Sequence, residues 1–204
     1  MPRAVSEPAL LLNDRNARAN AIVALASIIP GYWCTVFTVE WMGRWKIQMM
    51  GFIMMTAFMG GLAGGFDSLI NKHPNAADFM VLYCLTFFFA NWGPNATTFV
   101  IPAECFPTSW RTTAHGISAA AGKAGAILGV FGFTYASQPK HANTTERGVS
   151  YNAFYGTGIG LQGALAILTA TNGMGIFTTL LVPETKGKSL EEITGEVDAA
   201  KGSR

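Results

Sequence analysis

Polar and apolar positions in this chain come in long blocks. Between Arg18 and Glu40, Lys46 and Asp67, Asp78 and Glu104, and Arg147 and Glu184, charge is absent for 21, 20, 25 and 36 positions. A fifth window, residues 112–138, holds a single charged residue, Lys123. A helix needs about 20 mainly apolar residues to cross the hydrocarbon of a bilayer. The pattern therefore predicts an all-α membrane fold with five transmembrane helices, over residues 19–38, 47–66, 79–101, 115–136 and 159–182. Residues 1–18 precede this bundle, and residues 183–204 form a tail.

Proline and glycine refine the prediction. Pro30-Gly31 falls near the middle of the first helix and Gly93-Pro94 inside the third. Backbone groups freed by a break in lipid must be satisfied by neighbouring helices, hydroxyls or water. The third helix is therefore the first place to look for a site. Gly60 with Gly64, Gly61 with Gly65, and Gly125 with Gly129 have the small-xxx-small spacing that lets helix backbones approach closely. These pairs predict tight helix packing and say nothing of function.

Composition agrees with the pattern. Charged residues make up 13% of the chain, about half the ~25% usual in soluble domains. A soluble enzyme, a nucleic-acid binder and a disulfide-stapled secreted module are all excluded as readings, and the net charge of +2 implies no polyanionic partner. Cys34, Cys84 and Cys105 have no metal-ligand spacing and read as small membrane-core residues. No cofactor is implied. The first apolar run is too long for a signal-peptide core, so no cleaved targeting segment is expected.

Five spans put the two ends on opposite sides. With the tail in the cytoplasm, seven Lys and Arg fall inside and six outside, with Lys123 inside a span; the positive-inside rule barely discriminates. Asn143-Thr144-Thr145 is a glycosylation sequon in the long loop then assigned outside.

Lys123 is the sharpest chemical signal. It follows Ala119-Ala120-Ala121-Gly122 and lies eight residues after His115, or roughly 12 Å along a helix. A lysine at mid-span costs about 2.5 to 3.5 kcal/mol on insertion scales, and small neighbours cannot shield it. It reads as an anion or proton-path contact, with snorkelling to the interface as the bland alternative. Asn91 and Asn95 are four residues apart on the third span and share a face if the helix continues through Pro94. Buried amides donate to oxyanions without adding a charge; interhelical hydrogen bonding is the alternative. Two short loops carry an acid followed by a base, Glu40 with Arg44 and Glu104 with Arg111. They read as a cytoplasmic gate that opens as helix bundles rock, or as solvated turns.

The segments Glu40-x-x-Gly43-Arg44, Phe87-Phe88-Phe89-Ala90-Asn91-Trp92-Gly93-Pro94-Asn95-Ala96-Thr97-Thr98-Phe99, Pro102-Ala103-Glu104-Cys105-Phe106-Pro107-Thr108 and Gly122-Lys123-Ala124-Gly125-Ala126-Ile127 closely resemble the phosphate:proton symporters of the major facilitator superfamily. Those are the fungal and plant high-affinity inorganic phosphate transporters. Pro183-Glu184-Thr185-Lys186-Gly187 resembles the tail shared with sugar-porter relatives. The resemblance implies that the five spans match helices 8 to 12 of a twelve-helix carrier, with Asn95, Asn91 and Lys123 at the phosphate pocket. It implies inorganic phosphate and protons as the transported partners, a plasma-membrane location, and an N-terminal transporter half that this chain lacks. Proton-coupling acids are expected in that half, so the chain alone is expected not to transport. A sugar or organic-ion carrier, or a non-transporting helical interaction fragment, is the alternative.

Overall fold

The computed structural model describes residues 7–66, 77–137 and 158–188. The sequon and most of the tail lie outside the described residues. Among the described residues all regular structure is helical: α1 Glu7–Met42, α2 Arg44–Gly64, α3 Ala77–Asn91, α4 Pro94–Cys105, α5 Arg111–Ala136 and α6 Leu161–Leu180. Residues 20–42 of α1, with α2, α5 and α6, are each long and apolar enough to cross a membrane. The third expected span is divided. At 15 and 12 residues, α3 and α4 are each too short to cross alone, and they are separated by Trp92 and Gly93.

The break has a local cause. Pro94 has no N–H to donate and takes the first position of α4, where none is needed. The carbonyl of Asn91, which ends α3, accepts a hydrogen bond from Thr35 Oγ1 of α1 at 2.9 Å. The Trp92 indole Nε1 donates to Thr38 Oγ1 of the same helix at 2.9 Å. One hydroxyl of the neighbouring helix thus satisfies a backbone carbonyl at the break, as an apolar solvent requires, and a second holds the Trp92 side chain beside it.

Helix α2 is the hub, packing against α1, α3, α4 and α6. At one end Leu62, Ala63 and Leu165 form a buried cluster capped by Met59, Phe66, Phe79, Leu82 and Tyr83. At the other, Trp45 Nε1 donates to the Thr179 carbonyl at 2.9 Å, and Gln48 Nε2 to its hydroxyl at 3.1 Å, tying α2 to the end of α6.

The closest backbone approaches are at single glycines rather than at the paired ones. A Cβ on Gly51 would lie 2.5 Å from Pro94 Cδ, and one on Gly93 would lie 2.8 Å from Gly51 Cα. A Cβ on Gly31 would lie 2.7 Å from the Phe88 carbonyl. By contrast, Gly61, Gly64, Gly125 and Gly129 have open space where a side chain would go, and Gly60 makes only ordinary contact with Thr169. The expected small-xxx-small packing is therefore not made among the described residues. Helix α5 touches α4 and α6 only lightly, and none of its most apolar stretch is buried.

Candidate substrate site and charged end cluster

The broken third span positions two amides unequally. Asn91, on the last turn of α3, is 2% exposed. Its Nδ2 donates to the Phe87 carbonyl at 2.7 Å, and its Oδ1 accepts from Asn95 Nδ2 at 3.0 Å. Both ends of the Asn91 amide are therefore occupied. Asn95, on the first turn of α4, is exposed, and its Oδ1 stays available. The two amides are joined, but only Asn95 is presented to the outside. Aromatic rings wall the segment: Phe88 meets Trp92 edge-on at 5.7 Å between centroids, and Phe89 stacks on Trp92 at 5.6 Å.

Lys123 stands on the exposed surface of α5. No hydrogen bond or ion pair joins it to another described residue. The structure does not bring it to the two asparagines within this chain.

The end cluster is more tightly built than sequence spacing indicates. One residue, Gly43, turns the chain from α1 into α2 at a φ of 94°, a conformation glycine adopts without steric cost. Its neighbour Arg44 is the hub. The guanidinium donates to Glu40 Oε1 at 2.8 Å and to Glu104 Oε1 at 2.9 Å, with a second bond from Nε to Glu104 at 3.1 Å. Arg44 and Glu104 side chains are only 13% and 18% exposed, so removing either would leave a poorly hydrated charge.

The segment after α6 closes the cluster. Glu184 Oε1 accepts from the Arg44 backbone N–H at 3.1 Å, capping the start of α2. A Cβ on Gly43 would fall 2.7 Å from Glu184 Oε2. The Thr185 hydroxyl donates to Glu104 Oε2, and Lys186 Nζ donates to the Trp41 carbonyl.

Of the four residues expected at a gate, three therefore meet. Arg111 does not join them. Its Nε donates to the Phe106 carbonyl at 3.2 Å, its Nη2 is buried without a partner, and no ion pair links it to Glu104 among the described residues. Glu104 is already engaged by Arg44 and Thr185. Glu184, Thr185 and Lys186 were not among the expected site residues. Their only sequence signal is a Pro-Glu-Thr-Lys-Gly run immediately after the last span, which shows charge but not what it touches.

A family described as "Sugar (and other) transporter" matches residues 11–196. The chain is 50% identical over 200 residues to "Inorganic phosphate transporter 1-1" of Arabidopsis thaliana, covering 98% of this chain and 37% of that protein. It is 54% identical over 182 residues to "Low affinity inorganic phosphate transporter 3" of Petunia hybrida, covering 89% of this chain and 32% of that protein. The chain thus spans about a third of the length of these curated relatives. Long apolar helices, a proline-broken span held by neighbouring hydroxyls, and a match over nearly the whole sequence lead to one assignment: the chain belongs to the sugar (and other) transporter family of the major facilitator superfamily and is a multi-pass membrane protein.

Proposed function

We propose that this chain is part of a carrier that moves inorganic phosphate across the plasma membrane together with protons. The observation that carries the reading is identity of about half, along nearly the whole chain, to plant proteins named as inorganic phosphate transporters. In this reading Asn95 and Lys123 contact the oxyanion, and the acids that couple protons belong to the part of the carrier outside this chain. The Glu40–Arg44–Glu104 cluster holds the cytoplasmic ends of α1, α2 and α4 in one state of an alternating-access cycle.

The bare face of α5 fits the same reading. A helix apolar enough to span, with its lysine exposed and its flank uncovered, is an interface for the opposing helix bundle and the substrate path between them. A helical interaction fragment is the second reading, and that uncovered face favours it equally.

Radiolabelled uptake in cells lacking their own phosphate carriers tests both. A full-length carrier in which residues 11–196 replace the matching segment of the Arabidopsis relative is expected to take up phosphate, while the 204-residue chain alone is expected to take up none. Hexose uptake by the chimera in place of phosphate would overturn the substrate. Phosphate uptake by the chain alone would overturn the need for a second bundle.

A further inference from the structure

The two asparagines at the broken span form a directional ladder. A backbone carbonyl can only accept, so the 2.7 Å bond to Phe87 fixes Asn91 with Nδ2 toward that carbonyl. Asn91 must then turn Oδ1 toward Asn95, and the 3.0 Å bond requires Asn95 to answer with Nδ2. One consequence follows for the exposed residue. Asn95 presents Oδ1, an acceptor, together with its second N–H. Rotating the amide by half a turn would set two carbonyl oxygens against each other. Burial of Asn91, at 2% exposure, prevents water from relieving that conflict, and the Thr35 bond to the Asn91 carbonyl at 2.9 Å holds the backbone from which the ladder starts.

We propose that Asn91 is a positioning residue that locks the Asn95 amide with its oxygen outward, so that the site accepts a hydrogen bond from a P–OH group and favours a hydroxyl-bearing oxyanion over one with none. The inference rests on the phosphate reading above and deepens it. A freely rotating amide would serve a fully deprotonated oxyanion by donating. The locked amide keeps one N–H that can donate to either anion but sets its carbonyl oxygen beside it, which a hydroxyl-bearing oxyanion satisfies and a fully deprotonated one meets lone pair to lone pair; sites built to bond a substrate hydroxyl discriminate strongly against analogues that lack it. Sulfate at neutral pH has the shape of phosphate and no hydroxyl, so it is the natural probe.

The experiment uses the full-length chimera and measures the phosphate KM and the sulfate inhibition constant for phosphate uptake. The parent is expected to exclude sulfate. Asn91→Leu frees the Asn95 amide, and the ratio of sulfate inhibition constant to phosphate KM is expected to fall by about tenfold, with kcat less affected. Asn95→Leu removes the acceptor and is expected to weaken phosphate uptake itself. Asn95→Ser, at an exposed position, keeps one donor toward Asn91 and one outward acceptor; it is expected to retain the preference for phosphate, and it carries the test if Asn91→Leu fails to reach the membrane. An unchanged ratio in Asn91→Leu, or a preference in Asn95→Ser no better than in Asn95→Leu, overturns the proposal. Normal uptake by Asn95→Leu removes the residue from the site and also overturns it. A chimera that transports no phosphate at all is a different failure, that of the functional reading.

Discussion

Helices α2 and α5 are equally apolar, both rich in glycine and both carriers of basic residues, yet they occupy opposite situations. On α2 the glycine that matters is filled by a crossing backbone, and Arg44 is held by two carboxylates. On α5 the glycines face open space, and Lys123 has no described partner. Composition gives the membrane and leaves the neighbour undefined. Arg44 on α2 is engaged by other described residues, and Lys123 on α5 is not.

Five substitutions would break or sharpen this contrast. The largest effect belongs to Gly51→Val. With Pro94 Cδ 2.5 Å from a Cβ there, neither backbone can yield cheaply, and overpacking of this kind costs about 3 kcal/mol or more. Little monodisperse chimera should be recovered in detergent; recovery near the parent level would mean that the α2–α4 crossing is looser than it stands. Next comes Lys123→Ala, expected to reduce phosphate uptake by roughly 10- to 100-fold, as for a lost hydrogen bond to a charged group. Its melting temperature should stay that of the parent, and a large drop would show that the lysine is a packing residue after all.

Glu104→Ala removes the less exposed carboxylate from Arg44. The pair is partly open to solvent, so the expected loss is about 1 to 2 kcal/mol, read as a lower melting temperature in detergent. Arg111→Ala should lack this penalty; equal losses for the two would place Arg111 in the cluster. The smallest effect is that of Gly125→Ala. It is expected to shift stability by no more than about 1 kcal/mol, toward greater stability from helix propensity. Clear destabilisation would reveal a partner helix seated on α5.

Much of the fold is legible in the sequence because lipid imposes a simple rule. Charge-poor windows of sufficient length hold helices, and α2, α5 and α6 begin and end within a few residues of the expected spans. Two features resist the same rule. Helix α1 starts at Glu7, before the apolar run, because nothing between Asn13 and Asn20 breaks a helix even though Asp14, Arg15 and Arg18 end the hydropathy signal. The third span divides at Trp92 and Gly93, where Pro94 has no N–H to continue the α3 ladder and the α2 backbone at Gly51 packs against the break.

The site divides in the same way. Residue types and spacing single out Asn91 and Asn95 together, whereas burial separates them into a support and a presenter. Glu184 escapes because its target, the start of α2, lies 140 positions away in sequence. The expected glycine pairs mislead for a related reason: spacing says that a helix surface is smooth, and only the partner decides whether the smoothness is used.

The Thr35 hydroxyl that accompanies the Asn91 carbonyl also bears on biogenesis. It sits on α1, which leaves the ribosome well before α3 and α4. When the interrupted span enters the bilayer, the group that will satisfy its loose carbonyl is already waiting there. A chain with its helices in the reverse order would have to hold that carbonyl unsatisfied in hydrocarbon until α1 arrived, at several kcal/mol. The order of synthesis is thus the order in which the interrupted helix can be tolerated.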